Sequence, residues 1–328
     1  MKVVTFGEIM QRLSPNDGKT IAESSSFDTY FGGSEANVAI ALSHFGHHAC
    51  FVSAIPKNEL GDACIDFLQK QGVDTSFILR QGDKLGRYFT QYPLPGIKKE
   101  TVYDRAGSAI AKADPKDFDW EKILRGADWF HFSGITPALS ETAFEATLEA
   151  CKMAKKLGVP VSCDLNYRAA LWSKEKAHEA MMQLVPYLDV CIENEDEADI
   201  MLGVKSDLQG RERISDVAKK LADQYHFILV SSAWRDFKEG DPRFGGMVYK
   251  PENGHAYFAK EYPVENLLDS AGGGDSFSAA LIHCMLEKTA PQEMAEFCTV
   301  FGTLKYGMKG DTNHASIEDV HAFMLKYA

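Results

Sequence analysis

The amino-acid sequence predicts an α/β fold in which a mostly parallel central sheet is flanked by helices on both faces. Short apolar runs alternate with amphipathic stretches along all 328 residues. Parallel strands buried on both faces read as continuous apolar runs, and their crossover connections are usually helices. Six runs are predicted to be such strands: Val3–Phe6, Cys50–Ser53, Trp129–Phe132, Val159–Cys163, Val190–Ile192 and Phe227–Val230.

Three of the amphipathic stretches carry clear helix signals. Ala36–Phe45 and Thr142–Leu157 are each followed by a glycine, which is a common helix stop. Pro291–Tyr306 begins with a helix-opening proline and is also followed by a glycine. In each stretch, apolar side chains recur three and four residues apart, so one face can cover the sheet.

Two regions break this alternation. Residues 10–31 are rich in turn formers, and residues 86–107 look like two β-type segments around a Pro/Gly turn. These regions predict a small antiparallel sheet that projects from the main body. No internal repeat or interdomain linker is visible, so residues 1–328 are predicted to form one domain.

Composition argues against several classes of protein. Acidic residues outnumber basic ones by 47 to 35, and there is no dense Lys/Arg block of the kind that nucleic-acid binding needs. No apolar run approaches the roughly 20 residues of a membrane span. The seven cysteines are scattered and form no CxxC pair, which predicts reduced thiols in a cytoplasmic protein.

Three histidines, His44, His47 and His48, cluster near the end of the first predicted helix. No carboxylate or cysteine accompanies them at the spacing of a metal site. Histidines in this place are therefore predicted to interact with the helix C-terminus.

The strongest chemical signal is the segment 269–277, DSAGGGDSF. Gly272, Gly273 and Gly274 precede an amphipathic helix, so their backbone N–H groups can converge on an anion at its N-terminus. Asp275 follows them and can take the proton of a hydroxyl group. Phosphoryl transfer needs both parts. An N-capping aspartate after a glycine turn fits the same residues.

A second glycine-rich segment lies at the start of the first predicted helix. Gly32 and Gly33 allow a ligand to approach the backbone closely, and Asn37 offers a donor and an acceptor one turn later. Taken alone, this segment fits a loop and helix cap somewhat better than a ligand site.

These two segments together resemble the two signatures of the ribokinase-like (PfkB) carbohydrate kinases, and the likeness runs over essentially the whole chain. The resemblance implies a ribokinase-like fold in which the small sheet is a lid over the sugar and excludes water. It implies that Asp275 deprotonates the sugar hydroxyl that attacks the γ-phosphate of ATP. The amides of Gly272, Gly273 and Gly274 would form the anion hole.

The resemblance also implies ATP and Mg²⁺ as cofactors and allows a monovalent cation. Asn194 and Glu197 match the family's N-x-x-E motif, in which they help to organise phosphate and hydrated Mg²⁺, with Glu197 acting through water. A helix cap explains the same residues without the family. The family's glycine-rich turn after Phe227–Val230 is missing; a turn at Ser231–Arg235 and a polar stretch at 236–246 are predicted instead. Ser231 and Arg235 are the candidate phosphate contacts there.

Three further segments, 103–109, 133–140 and 164–172, resemble the 2-keto-3-deoxygluconate kinases within this family. By that resemblance the substrate site includes Gly32, Gly33, Asn37, Tyr88, Tyr103, Arg105 and Arg168. Two arginines suit an acidic sugar, because guanidinium groups bind carboxylates in a planar fork. The expected reaction is phosphorylation of 2-keto-3-deoxygluconate to its 6-phosphate.

Other functions remain open at this point. The chain could act on another keto-sugar acid, on a neutral sugar such as fructose or ribose, or on a nucleoside or vitamin. It could also be a silent sugar-binding relative, although that role would not need Asp275. Expected partners are the sugar acid and ATP, with no nucleic acid and no membrane. The edges of a lid sheet favour a homo-oligomer, a dimer or larger.

Overall fold

The computed structural model describes residues 1–91, 100–238 and 240–328. Its strands, in chain order, are β1 (Lys2–Phe6), β2 (Met10–Pro15), β3 (Phe27–Gly32), β4 (His48–Val52), β5 (Ala54–Ile55), β6 (Leu79–Arg80), β7 (Arg87–Thr90), β8 (Thr101–Asp104), β9 (Trp129–Ser133), β10 (Val161–Asp164), β11 (Val190–Glu193), β12 (Leu229–Lys238), β13 (Asp241–Lys250), β14 (His255–Phe258) and β15 (Tyr262–Pro263).

The described helices lie mainly between the strands. They are α1 (Ser34–His44), α2 (Glu59–Lys70), α3 (Ala109–Lys112), α4 (Trp120–Leu124), α5 (Glu141–Leu157), α6 (Lys174–Leu184), α7 (Glu195–Leu202), α8 (Gly210–Tyr225), α9 (Gly273–Leu286), α10 (Pro291–Lys305) and α11 (Ile317–Lys326). Short 3₁₀ turns cover Pro115–Asp117 and Val185–Tyr187. None of these helices is long and apolar enough to cross a membrane.

The main sheet has nine strands in the order β14-β13-β12-β11-β10-β9-β1-β4, with β15 beside β13. The pairs from β12 to β4 are parallel, and β13, β14 and β15 are antiparallel additions at one edge. Helices α1, α9 and α10 pack in one core, and α5, α6, α7 and α8 in another. The predicted α/β fold with helices on both faces is confirmed.

The individual predictions hold at most element ends. Five of the six predicted strands end within two residues of β1, β4, β9, β10 and β11. The three predicted helices correspond to α1, α5 and α10. Ser140 caps α5 through a hydrogen bond from the N–H of Ala143, and Gly158 ends that helix in a left-handed conformation. Local signals were sufficient for α5 because this helix begins and ends on its own capping residues.

The predicted lid is a four-stranded sheet in the order β3-β2-β7-β8. Its outer pairs are antiparallel, while the central pair, β2 with β7, is parallel because the two hairpins come from distant parts of the chain. Residues 92–99, which belong to the predicted lid segment 86–107, lie outside the described residues.

The turn predicted at Ser231–Arg235 is wrong. β12 continues through these residues and forms a long antiparallel hairpin with β13, in which Trp234 lies opposite Gly245. A side chain at Gly245 would collide with the indole, since an added Cβ would lie 2.4 Å from the ring. The polar residues of 236–246 made this hairpin look like a loop in the sequence.

Candidate active site

One cavity of about 840 Å³ lies between the lid and the carboxyl ends of the parallel strands. Open α/β sheets bind ligands at this edge, because loops and helix N-termini converge there. The cavity is lined by all the predicted site residues except Ser231: Gly32, Gly33, Asn37, Tyr88, Tyr103, Arg105, Arg168, Asn194, Glu197, Arg235, Gly272, Gly273, Gly274 and Asp275.

Asp275 lies on the first turn of α9 and is held by two side chains of α1. The Ser34 hydroxyl donates to Oδ1 at 2.8 Å, and Asn37 Nδ2 donates to Oδ2 at 2.7 Å. Burial raises the pKa of Asp275, and the bonds from Asn37 and Ser34 oppose that rise. The carboxylate is therefore fixed in direction and more basic than an aspartate in water.

The three glycines form the turn that enters α9. Gly272 has a φ of +80°, and an added Cβ would lie 2.0 Å from the carbonyl oxygen of Asp311, so glycine is required there. No side chain caps this helix, which leaves its first N–H groups directed toward the cavity. At Gly273 an added Cβ would meet the Tyr306 hydroxyl at 2.3 Å, whereas Gly274 has open space.

Gly32 and Gly33, which precede α1, allow neighbouring parts of the chain to pack directly against their backbone. A Cβ at Gly33 would lie 1.9 Å from the carbonyl oxygen of Glu8, and one at Gly32 would lie 2.6 Å from the side chain of Asp311. These contacts let β3 of the lid lead directly into α1. The Gly33 N–H also donates to Asn37 Oδ1 at 3.4 Å, which helps to orient the amide that holds Asp275.

The lid wall carries Tyr88, Tyr103 and Arg105. The Tyr88 hydroxyl donates to Asp311, and its ring stacks on that of Tyr103 at 5.6 Å between centroids. Arg105 Nε donates to Glu8 Oε2 at 2.8 Å, and its Nη2 also contacts Glu8. The guanidinium thus lines the cavity but is already paired along one edge.

The opposite wall carries an acidic group and Arg168. Asp164, Glu193 and Glu197 line the cavity, and burial raises the pKa of all three carboxyl groups. Arg168 opposes this rise at Asp164 and Glu197. Both oxygens of the Glu193 carboxyl are buried without a hydrogen-bond partner among the described residues. Carboxylate oxygens that make no hydrogen bond can act as ligands of a hard divalent cation such as Mg²⁺.

Asn194 acts as a helix cap, which is one of the two roles that the sequence predicted for it. Its Oδ1 accepts from the N–H groups of Asp196 at 3.1 Å and Glu197 at 3.0 Å. The cap also places Asn194 and Glu197 at the cavity, so the two interpretations are compatible.

The two candidate phosphate contacts on β12 have different outcomes. Arg235 lines the cavity, beside Tyr306. Ser231 does not line it: the side chain is fully buried in the sheet and its hydroxyl donates to the Met247 carbonyl at 2.8 Å. The Ser231 assignment is therefore corrected, because continuation of the strand turns this side chain into the core.

Sequence reasoning missed a buried ionic cluster behind the glycine turn. Arg12 of β2 contacts Asp269 at 2.7 Å and Asp311 at 3.1 Å. Burial alone would lower the pKa of the Arg12 guanidinium. The charges of Asp311 and Asp269 have the larger combined effect and raise it. Lys305 of α10 is fully buried beside them, and its Nζ donates to the Met308 carbonyl at 2.9 Å. The cluster joins the lid to the glycine turn at the start of α9.

Two more missed residues lie at the start of α1. Ser34 is one of the two donors to Asp275. Glu35 is buried and accepts from the Ser133 N–H at 2.8 Å and the Thr136 hydroxyl at 2.7 Å, which ties α1 to the end of β9. Ser34 and Glu35 lie between Gly33 and Asn37, but nothing local in the sequence shows their distant partners.

The sequence as a whole matches a known protein family. The model of the pfkB family carbohydrate kinases matches residues 1–318. The chain belongs to this family. The prediction of an ATP-dependent carbohydrate kinase with a ribokinase-like fold is thereby confirmed.

Relatives within the pfkB family include kinases of deoxy keto-sugar acids. A 2-dehydro-3-deoxygalactonokinase of Haloferax volcanii is 31% identical over 312 residues, covering 94% of this chain and 92% of that protein. A 5-dehydro-2-deoxygluconokinase of Clostridium perfringens is 30% identical over 299 residues, covering 90% and 84%. The crystal structure of 2-dehydro-3-deoxygluconokinase from Thermotoga maritima is 43% identical, with a TM-score of 0.95 and 98% coverage of both chains.

Proposed function

We propose that this pfkB-family kinase transfers the γ-phosphoryl group of ATP to the 6-hydroxyl of 2-keto-3-deoxygluconate, also called 2-dehydro-3-deoxygluconate. The observation that carries the proposal is the carboxylate of Asp275, aimed into the cavity beside an uncapped helix N-terminus. The names of the three relatives, each a deoxy keto-sugar acid kinase, support the substrate class.

Asp275 is the proposed general base. Ionised Asp275 takes the proton of the sugar hydroxyl, whose oxygen attacks the γ-phosphorus while the bond to ADP breaks. Ser34 and Asn37 keep the carboxylate oriented toward that hydroxyl. Backbone N–H groups at the start of α9 stabilise the charge on the transferring phosphoryl oxygens.

Arg105 and Arg168 are proposed to bind the sugar carboxylate. They stand on the lid wall and the opposite wall of the cavity. Arg168 donates to the Tyr167 carbonyl at 3.1 Å and is otherwise exposed, so its charge can reach a ligand. Arg105 keeps its Nε and Nη2 on Glu8, which leaves the Nη1 side for the substrate.

Asp164, Glu193 and Glu197 would hold Mg²⁺, directly or through water, and Asn194 and Arg235 would lie along the nucleotide. Mg²⁺ neutralises charge on the phosphate oxygens of the nucleotide. The sequence-based prediction also allowed a monovalent cation. Turnover compared in K⁺ and in Na⁺ buffers would test for such a cation.

The assembly and its setting are further parts of the proposal. Residues 1–328 would act as one kinase domain in the cytoplasm, where its seven free, buried thiols stay reduced. The outer lid strand β8 exposes Val102 and Tyr103 at 46% and 48%, an edge suited to pairing with a second copy. Light scattering on the purified protein would give the subunit number.

The decisive experiment measures ATP-dependent phosphorylation of 2-keto-3-deoxygluconate, 2-ketogluconate, fructose, ribose and adenosine. It compares the parent, Arg168→Ala and the control Arg125→Ala, which removes an exposed arginine outside the cavity. Strong turnover of a keto acid that falls at least tenfold in kcat/KM only in Arg168→Ala supports the proposal.

One outcome would contradict the substrate class of the proposal. A neutral sugar turned over equally by the parent and Arg168→Ala would overturn the acidic substrate. That result would agree with the pairing of Arg105 by Glu8, which already occupies one of the two guanidinium groups.

A further inference from the structure

A second polar cluster lies far from the cavity, where α1 and α9 end. Both helices begin at the candidate active site, with Ser34 on α1 and Gly273 on α9. Helices of 11 and 14 residues are roughly 16 and 21 Å long, at about 1.5 Å per residue. The two ends therefore face a region well separated from Asp275.

Three potential ligands meet at this point. His47 Nε2 lies 2.9 Å from His283 Nδ1. One ring nitrogen from each histidine and one carboxylate oxygen of Glu287 all lie within 4.8 Å of one another. Glu287 directly follows the last residue of α9, and its N–H donates to the His283 carbonyl at 2.9 Å, so the two side chains share one face of the last turn. Gly46, with a φ of +84°, turns the chain after α1 and brings His47 toward them.

The other two histidines of the sequence cluster take no part in this group. His44 contacts Gln71 at 3.1 Å, and His48 contacts Asp74 at 3.1 Å. Spacing along the chain predicted only an interaction with the helix end for all three histidines. The tertiary structure separates them and supplies the two partners that His47 lacks in the sequence.

We propose that His47, His283 and Glu287 form a binding site for one divalent transition-metal ion, with Zn²⁺ the best fit. Two imidazoles, one carboxylate and an open fourth position make up a common zinc coordination. Tetrahedral zinc places two ligand nitrogens about 3.3 Å apart. The two nitrogens must therefore move apart by about 0.4 Å, and the rings, now facing each other with centroids 5.2 Å apart, must turn so that both lone pairs meet at the ion. Mg²⁺ prefers oxygen ligands and would not compete.

The surroundings suit metal binding. His47 is buried, and burial followed by the nearby His283 lowers its pKa to about 4, so the ring is neutral at neutral pH. The ring of Phe45 lies 4.7 Å from that of His283 and shields one side. Glu287 is exposed, which leaves a path for the ion to enter. One imidazole must move its proton to its other nitrogen, so both facing nitrogens can present lone pairs.

A metal ion here would link the C-terminal ends of α1 and α9, the two helices that hold the proposed catalytic base. Because an ion that binds only the folded protein stabilises it, Zn²⁺ at about 100 times its dissociation constant should raise Tm by roughly 4 °C. The site is separate from the cavity, and its existence does not depend on which sugar the enzyme uses.

The test is a titration of the full-length, chelator-treated protein with Zn²⁺ alone, followed by calorimetry and by thermal unfolding. The variants are Glu287→Gln, His283→Gln and the control His48→Gln, which removes an exposed histidine outside the site. We expect one Zn²⁺ per chain in the parent and in His48→Gln, and at least tenfold weaker binding in the other two. Glu287 is exposed, so Glu287→Gln should fold even where His283→Gln does not.

Co²⁺ adds a spectroscopic reading, because tetrahedral coordination gives intense visible absorption that a loosely bound, fully hydrated ion lacks. Absence of stoichiometric binding in the parent would overturn the proposal. Equal affinity in the parent and Glu287→Gln would also overturn it, since the ion would then be bound elsewhere, for example at the acidic cavity wall. Kinase activity is measured separately, so failure of either proposal is distinguishable.

Discussion

The floor and the lid of the cavity hold their polar groups by different means. On the floor, formed by the first turns of α1 and α9, Asp275 receives hydrogen bonds at 2.8 and 2.7 Å from Ser34 and Asn37, and both helices pack into the core. On the lid, Tyr103 is 48% exposed and Arg105 is paired with a single carboxylate. The proposed catalytic base thus lies on helices fixed by packing, whereas part of the proposed sugar site lies on a thin sheet.

Arg12 is the exception that connects the two regions. It stands on lid strand β2, yet both of its aspartate partners, Asp269 and Asp311, flank the anion-hole turn. The Tyr88 hydroxyl reaches the same Asp311 from β7. The lid is therefore joined to the floor at its base.

The largest effect is expected from Asp275→Asn on the floor. The amide keeps the shape of the side chain but cannot accept the proton, so kcat should fall about 10²- to 10⁴-fold with little change in KM for the sugar. Steady-state kinetics with both substrates measure this effect. Asp223→Asn, which removes an exposed aspartate of α8, should retain parent turnover. Near-parent turnover in Asp275→Asn would remove Asp275 from the mechanism.

Arg12→Met tests the connection between the two regions. The change removes the guanidinium that pairs with both buried aspartates, so we expect a loss of about 3–5 kcal/mol in the free energy of unfolding. Arg125→Met, which breaks an exposed pair with Glu121, should cost about 0–1 kcal/mol. Denaturant unfolding compares the two variants. Equal losses would mean that the buried cluster does not hold the lid to the floor.

Gly272→Ala and Gly274→Ala test the packing of the glycine turn that enters α9. At Gly272 the new methyl would collide with a backbone oxygen at a positive φ, so unfolding free energy should fall by about 1–3 kcal/mol. Gly274 has nothing within 4 Å of an added Cβ, so its alanine variant should lose less than about 1 kcal/mol. A reversed order in thermal or denaturant unfolding would contradict the described turn.

The smallest effect is expected from Ser34→Ala, and it concerns pH. Burial raises the pKa of Asp275, so kcat/KM should decline as the pH falls through that raised value and the base becomes protonated. Loss of the Ser34 hydrogen bond removes a contact that favours the ionised form, so the acid limb should move to higher pH. Ser215→Ala on α8 is the matched control. If the acid limb is the same in Ser34→Ala and in the parent, the Ser34 hydrogen bond does not influence the pKa of Asp275.

Much of the fold and many of the site positions were accessible from the sequence alone. Apolar runs, capping residues and glycine stops are local properties, and they predicted the parallel sheet and the ends of helices such as α5. The three glycines and Asp275 act within a single turn, so their pattern also survives in the linear sequence. The pairing of that segment with Gly32, Gly33 and Asn37 was enough to indicate the family.

Only the tertiary structure decided the partners. Ser34 meets Asp275 across 241 positions of the chain, and Arg12 meets Asp311 across 299. It also converted the polar segment after Val230 into a hairpin, buried Ser231, and brought His283 to His47 across 236 positions. Periodicity and capping record what a residue does with its near neighbours. A buried charge or an imidazole finds its partner through the packing of whole elements, which no local pattern encodes.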